Sequence, residues 1–263
     1  MEFLALLGKT LLLRPYVFLF LAIALAISVW LMRPKRTAIF FLLAWATAFI
    51  CEFSSTRTGI PFGWYFYTGS TRGQELYLSN VPFMDSLSFS FLLFTSYCLA
   101  LVFLLPGRGH WLSLELRENP AIRRSGQVLA LTTLLFVLLD VVIDPVTLRG
   151  DRWFLGKIYY YPEPGVHFGV PIVNYLGWAV VGLAALGVFQ WIDRRLPDAT
   201  NAPTITRPLL LGCALYYGVL AFNLAVTFWI DEPVIGITGL FMYLPITAFL
   251  LLKLAGRLPA SPV

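Results

Sequence analysis

Long apolar runs alternate with short polar connectors along this chain. Runs near 20 apolar residues match the roughly 30 Å hydrocarbon core of a bilayer. The pattern predicts seven spans, at about 15–32, 38–53, 81–105, 125–143, 170–192, 208–230 and 234–252. Residues 1–14 are also apolar but are interrupted by Lys9 and Arg14, too short a stretch to cross. They read as an interfacial segment without the layout of a signal peptide. The expected fold class is all-α, a polytopic membrane helix bundle forming one integral membrane domain over residues 1–263.

Composition agrees with this pattern. The 263 residues are 59% hydrophobic and 13% charged, with a mean hydropathy of +0.77. A soluble domain carries about 25% charged residues. The net charge of +5 therefore reads as loop charge facing anionic headgroups, with no nucleic-acid partner expected. Lys and Arg are denser in the connectors after spans one, three and five and in the tail, at Arg33, Lys35, Arg36, Arg108, Arg117, Arg123, Arg124, Arg194, Arg195, Arg207, Lys253 and Arg257. The opposite side holds Lys9, Arg14, Arg57, Arg72, Arg149, Arg152 and Lys157. The positive-inside rule then places the protein in the cell (inner) membrane with its N-terminus outside and its C-terminus in the cytoplasm.

Two long loops interrupt the apolar pattern on the non-cytoplasmic side, and they resemble each other. The first reads Gly63-Trp64-Tyr65-Phe66-Tyr67 and continues to Val81-Pro82-Phe83-Met84-Asp85 and Phe89. The second reads Gly156-Lys157-Ile158-Tyr159-Tyr160-Tyr161 and continues to Val170-Pro171-Ile172-Val173-Asn174 and Trp178. Aromatic triplet, Val-Pro helix start, then an acid or amide three residues on: the order is the same in both. Proline opens a helix well because no N–H is needed there. The likeness predicts an internal helix–loop–helix repeat, with units at about 38–105 and 125–192. Chance aromatic belts at the membrane interface are the alternative.

Ionisable groups inside apolar spans are costly and mark function by default. Four qualify: Glu52, Asp85, Asp140 and Asp144. Asp140 is the deepest, and Asp140 and Asp144 share one helical face. Two carboxylates at low dielectric resist joint ionisation, and an acid held protonated is what general-acid chemistry needs. The bland readings are helix-end solvation for Glu52 and Asp85, and helix termination before Pro145 for Asp144. Asn174 and Asn223 are amides within spans, able to serve a site or to hydrogen-bond between helices. His167 stands beside the fifth span. Trp64, Trp153, Tyr65, Tyr67, Tyr159, Tyr160 and Tyr161 form either an aromatic belt or a wall whose π faces attenuate a carbocation.

Other chemistries lack their signatures. Cys51, Cys98 and Cys213 have no metal or redox spacing, and His110 and His167 are the only histidines. No metal site, nucleotide or flavin cofactor is expected, and no nucleophilic triad, Walker loop or paired Asp-rich diphosphate motif is present.

The segments Glu52-Phe53, Thr58-Gly59-Ile60-Pro61-Phe62-Gly63-Trp64-Tyr65-Phe66-Tyr67-Thr68 and Val81-Pro82 carry a resemblance, together with 140–145 and His167-Phe168-Gly169-Val170-Pro171 through Asn174-Tyr175 and Gly177-Trp178. They resemble the membrane carotenoid biosynthesis proteins, a family that includes the CruF-type carotenoid 1,2-hydratases and bisanhydrobacterioruberin hydratases. The likeness covers roughly residues 38–250. It implies addition of water across the terminal double bond of an acyclic carotene end group, without a cofactor. The partners it implies are a polyene substrate, membrane lipids and contact with other enzymes of carotenoid biosynthesis. The residues suit that chemistry: Asp140 or Asp144 as proton donor, Glu52 or Asp85 handling water, aromatic faces beside a tertiary cation. End-group cyclisation begins with the same protonation and stays open, as does a transporter or lipid-binding role. The acids, however, cluster toward one side, which fits a one-sided pocket better than a transport path.

Overall fold

The computed structural model describes residues 2–198 and 204–257; positions 199–203 of the basic connector and the tail from 258 lie outside them. Helix α1 (Glu2–Leu13) leads through Arg14 into α2 (Pro15–Thr58). Between α2 and α3 (Phe83–Leu104) lie the two-residue strands β1 (Phe66–Tyr67), β2 (Tyr77–Leu78) and β3 (Val81–Pro82). The connector after α3 holds β4 (Gly107–Arg108), β5 (Glu115–Leu116) and the short α4 (Pro120–Arg123). Then come α5 (Gly126–Thr147), β6 (Tyr159–Tyr160), α6 (Ile172–Asp193), α7 (Thr206–Trp229) and α8 (Pro233–Leu254). Six of these helices are long and apolar enough to cross a membrane, and the chain is an all-α polytopic bundle.

Helix α2 contains two of the predicted spans. Its 44 residues would extend about 66 Å as one rod, twice the bilayer core. Proline at position 34 has no N–H to continue the helix and pushes its predecessor out of the helical region. Arg33 accordingly adopts φ 65°, ψ 162°. Ser28 Oγ and Thr37 Oγ1 come within 2.9 Å. Nine residues along a straight helix would separate them by about 13.5 Å, so the chain doubles back at Arg33. With both arms counted, the predicted spans all have a helical counterpart. The fourth is longer than expected: α5 continues through Pro145 to Thr147, so Asp144 lies within the helix and does not end it.

Local sequence sets the helix ends. Ser125 caps α5 by accepting from the Val128 N–H. Prolines 82 and 171 occupy the positions just before α3 and α6. Gly59 closes α2 at φ 75°, where its N–H reaches Ser55 O; the left-handed conformation favours glycine.

Helix α3 is the centre of the bundle, with most of its apolar stretch buried. The first arm of α2 meets α3 and α7 through Phe20, Phe91 and Phe222. The second arm meets α3 and α6 through Phe40, Phe94 and Phe189. Helix α5 lies against α3, α6 and α7, and α8 covers α7 from outside. At one end, Asp193 of α6 takes Arg36 at 2.6 Å, Arg124 at 2.8 Å and Arg123 at 3.2 Å. At the other end the two long loops meet. Strands β1 and β6 pair antiparallel, with Phe66 opposite Tyr160 and Tyr67 opposite Tyr159.

Candidate functional site

The pairing of β1 with β6 sets the phenols of both loops over the ends of α2, α3 and α5. Alternate residues of a strand point to opposite faces. Tyr65 and Tyr67 therefore turn inward from one strand, while Tyr159 and Tyr161 do so from the other; Phe66 and Tyr160 face out. The inward rings pack edge to face, Tyr65 against Tyr67 at 5.4 Å and against Tyr159 at 6.1 Å. Beneath them lies a cavity of about 130 Å³, and all four intramembrane acids line it.

The acids form two bridged pairs. Tyr67 Oη lies 2.6 Å from Asp85 Oδ2 and 3.1 Å from Glu52 Oε1. Asn174 Nδ2 donates to Asp140 Oδ2 at 2.8 Å and to Asp144 Oδ2 at 3.0 Å. Asp144 also receives the hydroxyls of Tyr159 and Tyr161, the latter at 2.8 Å, and Thr147 at 3.3 Å. Burial pushes the phenols of Tyr65, Tyr67, Tyr159 and Tyr161 well above their ordinary range, and the adjacent carboxylates add to the shift. These hydroxyls remain neutral donors across physiological pH.

Counting donors separates the members of each pair. Asp144 has phenol, amide and threonine donors, a full set for an ionised carboxylate. Asp140 has Asn174 alone. Tyr67 has one proton for two acids, so both its contacts are hydrogen bonds only when a carboxyl supplies a second. Asp85 sits in the first turn of α3, where the helix dipole favours an anion. Glu52 lies near the C-terminal end of α2, and its Oε2 is buried without a hydrogen-bond partner.

Most predicted site residues converge here: Glu52, Asp85, Asp140, Asp144, Tyr65, Tyr67, Tyr159, Tyr161, Asn174 and Asn223 all line the cavity. Trp64, Tyr160 and His167 do not. Trp64 and Tyr160 flank Phe66 on the outer face of the ribbon. His167 is half-buried and its Nδ1 lies 2.5 Å from Tyr175 Oη; burial lowers its pKa, which favours the neutral ring. Asn223 lines the wall while its amide donates to Val219 O within its own helix at 2.9 Å.

Several lining residues had no signal as site residues. Phe89 and Trp178 form the floor, stacked at 4.1 Å and 21°. Each follows its Val-Pro start by the same interval, which was their one trace in the sequence. Tyr16, Phe20, Phe62 and Phe222 complete the apolar walls. Gly177 lets Phe62 in: a Cβ there would stand 2.2 Å from Phe62 Cδ1. Among the described residues no group of His, Cys, Asp and Glu has the geometry of a metal site.

Comparison with known proteins places the chain. It is 29% identical over 194 residues to the bisanhydrobacterioruberin hydratase of Haloarcula japonica, a match that covers 72% of this chain and 56% of that relative. No solved structure matches it. A family profile described as "Carotenoid biosynthesis protein" matches residues 13–245, and the chain belongs to that family.

Proposed function

We propose that this protein is a carotenoid hydratase, adding water to the terminal double bond of an acyclic polyene end group. The observation that carries the reading is the cavity itself: two hydrogen-bonded acid pairs face an otherwise aromatic, apolar space inside a membrane bundle. The hydratase named among its relatives supports it.

Hydration of a trisubstituted alkene needs three things. A carboxylic acid protonates the less substituted carbon. The resulting tertiary cation must be tolerated. A water then adds to it and loses a proton. Asp140, with its single donor, is the proposed proton donor, and Asn174 positions it while Asp144 stays ionised beside it. The Glu52–Asp85 pair, joined by Tyr67, orients the water and accepts the proton it releases. Faces of Phe89, Trp178 and the inward tyrosines stand where the cation forms, and ring quadrupoles stabilise positive charge. Return of that proton from the Glu52–Asp85 pair to Asp140 resets both groups, so over a full cycle no net proton is consumed. The phenols of Tyr159 and Tyr161 hold the geometry of Asp144.

The two loops and their flanking helices are proposed to be copies related by a two-fold axis through the Phe66–Tyr160 pair. That axis exchanges Tyr65 with Tyr159, Asp85 with Asn174 and Phe89 with Trp178. The basic end around Asp193 is proposed to face the cytoplasm, putting the pocket in the opposite half of the membrane.

The test is expression in a lycopene-producing host with pigment analysis by mass. Gain of one water per reacting end is the expected outcome. An isomer of unchanged mass would replace hydration by cyclisation, and unaltered pigment across acyclic carotenes would defeat the proposal.

A further inference from the structure

Building on the hydratase reading, we infer that the polyene reaches the acid pocket sideways, through a portal between the first arm of α2 and α7 formed by Tyr16, Phe20 and Phe222.

Size sets the first constraint. A cavity of about 130 Å³ is comparable to one of about 150 Å³ that takes a benzene-sized molecule. It holds the reacting end of a long polyene and little more. The rest of the chain has to leave through a wall. The roof is closed by the β1–β6 pairing and by the phenol–carboxylate bonds beneath it. The floor is closed by Trp178, stacked on Phe89 at 4.1 Å and against Phe136 at 4.6 Å. On the α5–α6 side Asn174 bridges the two aspartates.

The remaining wall is apolar. Tyr16, Val17 and Phe20 of α2 line it together with Val219 and Phe222 of α7 and Phe91 of α3. Tyr16, Phe20 and Phe222 are half-buried. Directly beside them, Leu19 is 59% and Ile23 40% exposed on the outer face of α2, and Ala221 is exposed on α7. Side chains alone thus separate the pocket from the lipid-facing surface: these rings, with Trp153 and Phe154 of the second loop packed on Tyr16 and Phe222. A polyene dissolved in the bilayer meets the protein on that surface.

The closure is made of rings. Tyr16 stacks on Phe222 at 5.2 Å, and Phe20 meets Phe222 edge-on at 5.7 Å. Such contacts part by rotamer changes without breaking backbone structure. The top of the arm is fixed: fully buried Arg14 binds Glu75 at 3.2 Å and Leu155 O at 2.6 Å. The portal therefore opens by swinging side chains while α2 stays in place.

The experiment uses the full-length protein in lipid vesicles preloaded with lycopene. Uptake is read as pigment retained on the repurified protein, and hydration is read separately by product mass. A Phe20→Cys/Phe222→Cys pair is compared oxidised and reduced, with the disulfide verified by mass. Val219→Trp, which fills the arm from the α7 side, serves as a second variant, its fold checked by thermal unfolding. Oxidation of the pair is expected to slow uptake by about tenfold or more, with recovery on reduction, and folded Val219→Trp to retain about tenfold less pigment. Uptake at the wild-type level in the verified disulfide form, or in Val219→Trp should the disulfide not form, would overturn the portal. Normal uptake without hydration by the wild type would instead defeat the hydratase reading and leave the portal standing.

Discussion

The hydroxyl of Tyr67 lies 2.6 Å from the carboxylate of Asp85. It arrives there from a loop strand, 18 residues earlier in the chain, and shares its oxygen with Glu52. Tyr67→Phe keeps the ring and removes this link. A hydrogen bond to a charged group contributes about 1.5–3 kcal/mol, so turnover is expected to fall about 10–100-fold. Binding of the polyene, read by retained pigment, should change little. Unchanged turnover would remove Tyr67 from the water-handling pair.

Asp140 and Asp144 are separated by their donors, and substitution should separate them again. Asp140→Asn removes the proposed proton donor while keeping shape. Loss of a general acid costs about 10²–10⁴-fold in rate, and product formation should drop by that factor with pigment retention intact. Asp144→Asn leaves Asp140 in place but disturbs the donors of Tyr159, Tyr161 and Thr147. Its defect should appear in thermal stability as well as in rate. Equal and purely kinetic defects in both variants would argue that the acids act as one shared group.

How much of this was legible beforehand depends on sequence distance. The spans, the four acids and the aromatic loops announce themselves because hydropathy and Val-Pro starts are local signals. Even the doubling back at Arg33 is visible in Arg33-Pro34-Lys35-Arg36. The short reading of the fourth span has a local cause too: the proline after Asp144 suggests a helix end, yet α5 carries Pro145 one turn further. The lining from Tyr16, Phe20 and Phe222 was illegible, since aromatics in an apolar span look alike whether they face lipid or a cavity. So was Arg14–Glu75, a contact 61 residues apart with no pattern at either end. Trp64 and Tyr160 show the converse: alternation in the strand turns Tyr65 in and its neighbours out, a period-two fact that the aromatic run conceals, while His167 lies outside the ribbon against Tyr175.

Gly177→Ala tests how closely Phe62 is fitted. The new methyl would meet Phe62 Cδ1 at 2.2 Å, and Phe62 is fully buried. Overpacking of this kind costs about 1–3 kcal/mol. Reduced thermal stability in detergent is expected, together with lower turnover because Phe62 lines the pocket. Gly187→Ala, in the same helix with nothing within 4 Å, should be neutral or stabilising. Equal effects at both positions would point to helix propensity and away from packing.

The Arg14–Glu75 pair makes the sharpest stability prediction. Both side chains are 0% exposed, and the guanidinium joins the α1–α2 junction to both long loops through Glu75 and Leu155 O. Removing one partner of a buried pair leaves an uncompensated charge and costs about 3–5 kcal/mol. Arg14→Met and Glu75→Gln should each lower the unfolding midpoint strongly, Glu75→Gln less because its amide still accepts a hydrogen bond. Desolvation makes such pairs weak net contributors, so the double variant Arg14→Met/Glu75→Leu should recover a large fraction of the loss. A double variant as unstable as the sum of the two singles would mean that the pair acts through packing alone, with no coupling between its charges.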